Sequence, residues 1–261
     1  MDVRYEAPET LQAAIALLAG ATGPAKILAG GTDVIVQMET DLIEPALLVD
    51  IKKIPELRQI APENGGFRIG AAVPGMEIMD DKALAKAWPG VLDGVKLIGS
   101  IQVRGRASIG GKGTREVPVE QIPAGPGKTS LAKDEIIVSF FLPARPPHSG
   151  DAYQRFTPRT EMDIAVVGVG VNLTLDAGGT CTAARVALGA VAPTVLLSKE
   201  CADALIGTKV DAAALDKLAA AASAACRPID DKRGTKEYRI KVAGVLAKRT
   251  AQQALEVARK N

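Results

Sequence analysis

The residues best placed by type and spacing to do chemistry are Ile27, Leu28, Ala29, Gly30, Gly31, Thr32 and Asp33, which run from an apolar stretch through a glycine pair. Adjacent glycines carry no side chains, so backbone N–H groups there can converge on an anion. The Thr32 hydroxyl adds a donor, and a helix start after the turn adds positive potential. That chemistry suits a pyrophosphate. Asp33 would repel such a group if it pointed inward, so it is assigned to capping the next helix or holding the loop. An ordinary glycine turn explains the same residues, because short glycine motifs are weakly specific. Neither GxGxxG nor a GxxxxGK phosphate loop occurs in the chain, which argues against a doubly wound dinucleotide fold and a P-loop.

A second set is Ser108, Ile109, Gly110 and Gly111, which closes an extended segment beginning at Ser100. Two glycine turns facing one cleft would clasp an extended ligand from both ends, although a plain bend accounts for this one equally well. Between Tyr153 and Asp163, the guanidinium of Arg155 or Arg159 beside a cofactor ring would favour negative charge on it. A structural Arg159–Asp163 pair anchoring a strand start is the alternative for those two residues.

Composition removes other chemistries. Lys and Arg total 32 against 30 Asp and Glu, a net charge of +2, and only 4 Phe, 3 Tyr and 1 Trp are available for stacking, so nucleic acid is not indicated. A single histidine, His148, supplies no material for a multi-histidine metal site. Cys181, Cys201 and Cys226 are too few for an ordinary iron–sulfur cluster and odd for a disulfide framework, so they read as reduced, mostly buried thiols. Redox work by this chain would therefore need an organic cofactor. With 47% hydrophobic and 24% charged residues over 261 positions, the chain reads as one large or two medium globular domains. No apolar run reaches the 18 or so residues of a membrane span and the N-terminus lacks a signal layout, so a soluble, cytoplasmic protein is expected.

The elements that must position these residues follow from periodicity. Helical spacing predicts a helix over 8–19, then a strand at Lys26–Ala29, the glycine turn, a helix from Val34 and a buried strand at Ala46–Ile51. A second unit follows, with a strand at Phe67–Val73, a helical stretch from 75 to 97 broken near Pro89, a loop over 112–130 and a strand at Glu135–Leu142. The Pro-rich segment at 143–152 is the expected linker. Beyond it, strands at 164–175 and 181–190 form a hairpin, followed by helices at 199–206, 211–226 and 235–259. The last is expected to pack through Tyr238, Val242, Val245 and Leu246. The domains are thus 1–150, with subdomains of about 1–55 and 56–143, and 151–261.

In order, the motifs Ala29–Asp33, Pro45 with Leu48–Leu57, Ser108–Gly111, Asp163–Ala165 and Glu237–Arg239 resemble the FAD-binding medium subunit of molybdenum hydroxylases, of the carbon monoxide dehydrogenase, xanthine dehydrogenase and hydroxybenzoyl-CoA reductase type. The resemblance covers nearly the whole chain. It implies an α+β fold: a two-subdomain FAD-binding domain of the vanillyl-alcohol-oxidase (PCMH) type, then a C-terminal domain with an antiparallel sheet and helices. It implies FAD as cofactor, with residues 27–33 as the first FAD loop, Ser108–Gly111 as the second, Ile137 covering the flavin and Arg155 approaching it. It further implies a small [2Fe-2S] subunit and a large molybdopterin subunit as partners in a dimer of heterotrimers, with this chain passing electrons to an external acceptor and inert alone toward the organic substrate. A flavin-free structural or assembly subunit of the same fold is the alternative. One departure supports it: the family continues after the second glycine pair with an asparagine and an Ala-Ser-Pro…Asp stretch that reaches the cofactor, whereas here Gly111 meets Lys112 at once. A chain break at that junction, with the stretch left out, is the expectation.

Overall fold

The structure, a computed structural model, describes residues 3–97, 106–110, 113–159 and 163–261. The chain separates into two units, one of residues 1–77, 105–122 and 130–144, the other of 78–104, 123–129 and 145–261.

The first unit opens with β1 (Arg4–Glu6), α1 (Leu11–Ala19), β2 (Ala25–Leu28), α2 (Val34–Glu39) and β3 (Leu47–Asp50). Helix α1 starts after Thr10, whose hydroxyl accepts the Ala13 N–H at 3.2 Å, so the cap rather than Pro8 sets the boundary. Strand β3 lies between β1 and β2 and is parallel to both, with Leu28 level with Asp50. All four β3 residues are buried, as a central parallel strand requires. Leu11, Ala14 and Leu18 of α1 join Leu47, Val49, Ile51, Ile54 and Leu57 in one core.

That core also takes Ala72 and Ile136 from the second subdomain of the same unit. There, β4 (Ile60–Glu63), β5 (Gly66–Gly70), β6 (Arg106–Gly110), β7 (Thr114–Pro118) and a later strand, β10 (Ile136–Leu142), form an antiparallel sheet in the order β4-β5-β10-β6-β7. The expected loop over 112–130 is therefore largely structured: it holds β7, a one-turn 3-10 helix (Val119–Gln121) and the small hairpin of β8 (Pro123–Gly125) and β9 (Lys128–Thr129). Pro126 and Gly127 fall at the turn between β8 and β9, while Pro118, Pro123 and Gly125 sit at strand ends. The expected break falls on Gly111 and Lys112, which lie outside the described residues. On either side of it, Gly110 pairs with Thr114.

In the second unit, α3 (Gly75–Asp80), which begins in the first, is followed by α4 (Lys82–Ala87) and α5 (Pro89–Lys96), so the helical stretch expected over 75–97 breaks at Pro89 as expected and once more at Asp81. Asp81 breaks the first junction because its carboxylate accepts the Leu84 N–H at 2.8 Å and starts a new helix. Strands β11 (Ser149–Phe156), β12 (Val167–Leu175), β13 (Cys181–Gly189) and β14 (Leu196–Leu197) make an antiparallel sheet in that order. Strand β11 begins inside the segment expected as linker. Its start is buried because Asp151 pairs with Arg145, whose guanidinium also stacks 4.5 Å over Trp88 and donates to the Ala87 carbonyl at 2.8 Å.

Helices α6 (Lys199–Asp203), α7 (Ala212–Ala225) and α8 (Lys236–Lys260) cover this sheet. The packing face of α8 agrees with the expected one in part: Leu246 is buried and Val242 packs against the core, but the other two expected residues do not. Tyr238 and Val245 are 43% and 44% exposed, while Ala243, Ala247, Ala251, Ala254 and Ala258 are fully buried. Small residues win because the backbones approach closely: a Cβ on Gly150 would run into the Ala254 carbonyl and the Ala258 amide.

Candidate functional site

The glycine turn is held at both ends. The Ile51 N–H donates to the Leu28 carbonyl at 3.0 Å, extending the β2–β3 ladder to the turn's edge, and the Ile35 N–H closes onto the Gly31 carbonyl at 3.0 Å. Gly31 sits at φ +78°, a left-handed conformation open to glycine at little cost. The N–H groups of Gly30, Gly31, Thr32 and Asp33 and the Thr32 hydroxyl find no acceptor among the described residues. Four consecutive amide donors and a hydroxyl thus remain for a ligand or solvent at the surface.

The space in front of them is open. A Cβ built on Gly30 meets nothing within 4 Å, and its φ is not in the left-handed region, so neither packing nor backbone strain inside this chain demands glycine at position 30. The chain's own residues therefore fit a pyrophosphate cradle.

Two sequence expectations about the turn change. Helix α2 spans six residues with none buried, too short to carry much of the axial dipole assigned to it, so the loop amides are the relevant donors. Asp33 occupies the N-cap position without capping: its carboxylate accepts from Gln37 Nε2 at 2.8 Å. Its charge is turned along the helix surface, which leaves the loop-holding role.

Sequence reasoning missed the support behind the turn. Lys52 Nζ donates to the Ala29 carbonyl at 3.0 Å and to Asp50 Oδ2 at 2.7 Å, and the Tyr5 hydroxyl donates to the same Asp50 oxygen at 2.6 Å. Burial pushes the Asp50 carboxyl up, but hydrogen bonds from the Lys52 ammonium, the Tyr5 hydroxyl and the Lys52 amide outweigh it and hold the group below the usual carboxylate range. The Tyr5 phenol is raised by its hydrogen bond to Asp50. The only sequence signal was the Val-Asp-Ile-Lys run at the end of the buried strand, whose Lys52 lies 23 positions from Ala29 and is brought to it by strand register.

The second glycine segment is not a turn over its described part. Ser108, Ile109 and Gly110 lie in β6, level with Ser139, Ile137 and Ile136 on one side and with Glu116, Arg115 and Thr114 on the other. A strand flanked on both sides spends its amides in the ladder. Gly111 lies outside the described residues. Ile137, directly across from Ile109, is half-buried between Ile136 and Val138, which face the core, so strand alternation points it to the opposite side.

Arg155 belongs to the second unit, on β11, half-buried, with Nη1 donating to the Leu97 carbonyl at 3.1 Å. Asp163 is a structural anchor: its carboxylate takes Arg233 Nε at 2.9 Å and Arg159 Nε at 3.6 Å and is lowered to about 2, chiefly by Arg233, with the Ile164 amide and Arg159 adding to it. The three cysteines are buried as free thiols, and burial raises Cys226 to about 11, so none is poised for chemistry.

A family model described as the FAD binding domain in molybdopterin dehydrogenase matches residues 1–112, and one described as the CO dehydrogenase flavoprotein C-terminal domain matches residues 152–254. The carbon monoxide dehydrogenase medium chain of Hydrogenophaga pseudoflava is 31% identical over 277 aligned positions, covering 96% of each chain. The xanthine dehydrogenase FAD-binding subunit of Escherichia coli O157:H7 is 29% identical, covering 97% of this chain and 96% of its own. The solved carbon monoxide dehydrogenase from H. pseudoflava superposes with a TM-score of 0.92 at 30% identity, covering 98% of each chain. The chain belongs to the FAD-binding medium subunits of the molybdenum hydroxylases, and its cofactor is FAD. The 277 aligned positions exceed the chain's 261 residues, so the relative carries residues with no counterpart here.

Proposed function

We propose that this chain is the electron-transfer subunit of a molybdenum hydroxylase, receiving electrons from a partner [2Fe-2S] subunit and delivering them to an external acceptor. A large molybdopterin subunit carries the organic chemistry, the assembly is a cytoplasmic dimer of heterotrimers, and this chain alone is inert toward the organic substrate. Bound FAD supplies the capacity to take up electrons singly and release them in pairs. Ile27 to Asp33 hold the pyrophosphate, through the amides of Gly30 to Asp33 and the Thr32 hydroxyl. Ser108 to Gly111 border the site from the second subdomain, Ile137 offers an aliphatic face to the flavin, and Arg155 supplies positive charge that favours its reduced, anionic form. The FAD-binding part spans 1–150 and the α+β part 151–261.

The observation that carries this reading is the run of four unpartnered amides before an open face at Gly30. Its test is the flavin content of the purified assembly with Gly31→Val. A Cβ there sits at φ +78° and lands 2.6 Å from Ile35 Cδ1, so the turn must rearrange and flavin should be lost. Normal flavin content in that variant sinks the assignment. A second reading, a flavin-free structural subunit, is favoured by the direct Gly111–Lys112 junction and by the relative's excess residues, and it predicts no flavin in the wild-type assembly either.

A further inference from the structure

We propose that Lys52 is a positioning residue for the cofactor's diphosphate, acting through the Ala29–Gly30 peptide rather than by touching the ligand. The inference rests on the reading that residues 27–33 form the pyrophosphate loop.

In a planar trans peptide the C=O and N–H point in opposite directions, and the chain has no cis bonds among its described residues. Lys52 Nζ takes the Ala29 carbonyl at 3.0 Å, which fixes that peptide's plane and aims the Gly30 N–H away from the lysine. A Cβ on Gly30 would meet nothing within 4 Å, so the position beside that N–H leaves room for a ligand. A cation on the carbonyl also polarises the peptide, strengthening its N–H as a donor to an anion.

Lys52 itself is held for this task. Its ammonium donates to Asp50 Oδ2 at 2.7 Å, and its backbone N–H donates to Asp50 Oδ1 at 2.9 Å. Asp50 is buried and further fixed by the Tyr5 hydroxyl at 2.6 Å, so the lysine is anchored to β3, which pairs with the strand leading into the turn, and through Tyr5 to β1. The pair presents its cationic end to the loop and its anionic end to the interior. Such a device is needed here, because α2 is too short to supply dipole and Asp33 contributes a negative charge one residue past Thr32.

The test uses the full-length chain, stripped of flavin and titrated with FAD, as wild type, Lys52→Met, Lys52→Arg and Gly31→Val, with each apoprotein's melting temperature recorded. Lys52→Met should weaken FAD binding about ten- to a hundredfold, the scale of one charge-assisted hydrogen bond. It should also reduce the salt dependence of binding. Lys52→Arg should restore affinity to within about threefold, since a guanidinium can hold the same carbonyl. Apoprotein melting should move by no more than a few degrees. Wild-type affinity in Lys52→Met, or an Arg variant as impaired as the Met variant, overturns the inference while Gly31→Val still loses FAD. If Gly31→Val binds FAD normally, the loop assignment falls and takes this inference with it.

Discussion

Gly30→Ala separates a ligand-facing glycine from a merely structural one. In the protein alone the substitution is nearly free: the added methyl meets nothing within 4 Å, the backbone is not left-handed, and the unfolded chain loses some entropy. The apoprotein should therefore melt at or slightly above the wild-type temperature, a gain of about 0.4–1 kcal/mol at most. With a diphosphate against the amides, the same methyl occupies the ligand's place and pushes it off the Gly30 and Gly31 donors. Losing one charge-assisted hydrogen bond costs about 1.5–3 kcal/mol, which is roughly 10- to 150-fold in affinity. Calorimetric titration with FAD and thermal melting of the apoprotein, run on the same preparations, give both numbers. A stable variant that binds FAD with wild-type affinity refutes the idea that the loop's open face is where the cofactor lies.

Three further outcomes follow from the packing, the charges and the family. Gly150→Ala should lower the denaturation midpoint sharply, by about 3 kcal/mol or more, because the new Cβ collides with α8 backbone at Ala254 and Ala258, which cannot swing aside; an unchanged urea midpoint would contradict the close approach. Asp163 is depressed to about 2 from an ordinary value near 3.8, so its contribution is complete above about pH 4 and fades as pH falls toward 2; Asp163→Asn should be less stable at neutral pH and show a flatter loss of stability over that acid range, and identical pH profiles would remove the Arg233–Asp163 anchor from the account. Affinity-tagged chain expressed in its host should bring down an iron–sulfur subunit and a molybdopterin subunit, and a tagged chain recovered alone under gentle conditions would count against the proposed assembly.

The parts of this fold readable from sequence are those in which local pattern and tertiary demand agree. Strands β12 and β13 are long apolar runs around an Asp-Ala-Gly-Gly turn, and α7 begins at Asp211, whose carboxylate accepts the Ala214 N–H at 2.9 Å as an N-cap should. Strand β11 was hidden because Ser149-Gly-Asp-Ala152 lacks large apolar residues; it is buried through an ion pair and a glycine under α8, neither of which leaves a periodic trace. The face of α8 misled for a related reason. Large apolar residues draw attention, but at close backbone approach alanines make the contact and Tyr238 is left at the rim, edge-on to Phe156 at 6.2 Å.

The candidate site divides the same way. The glycine turn announces itself by residue type, while its buttress of Tyr5, Asp50 and Lys52 is assembled by the pairing of three parallel strands, and no local window contains it. The second glycine pair was legible as a motif but not as a conformation. β6 and β7 pair with each other, and Ser108 to Gly110 are strand residues up to the end of β6.

The measurement that bears most directly on the central claim is the FAD stoichiometry and visible absorption of the full-length chain after incubation with excess FAD and removal of the free cofactor. The account predicts one FAD per chain, with flavin absorption bands that bleach on reduction by dithionite and return in air. A folded, monodisperse chain that leaves the column colourless, at FAD concentrations well above those at which flavoproteins load, would contradict it.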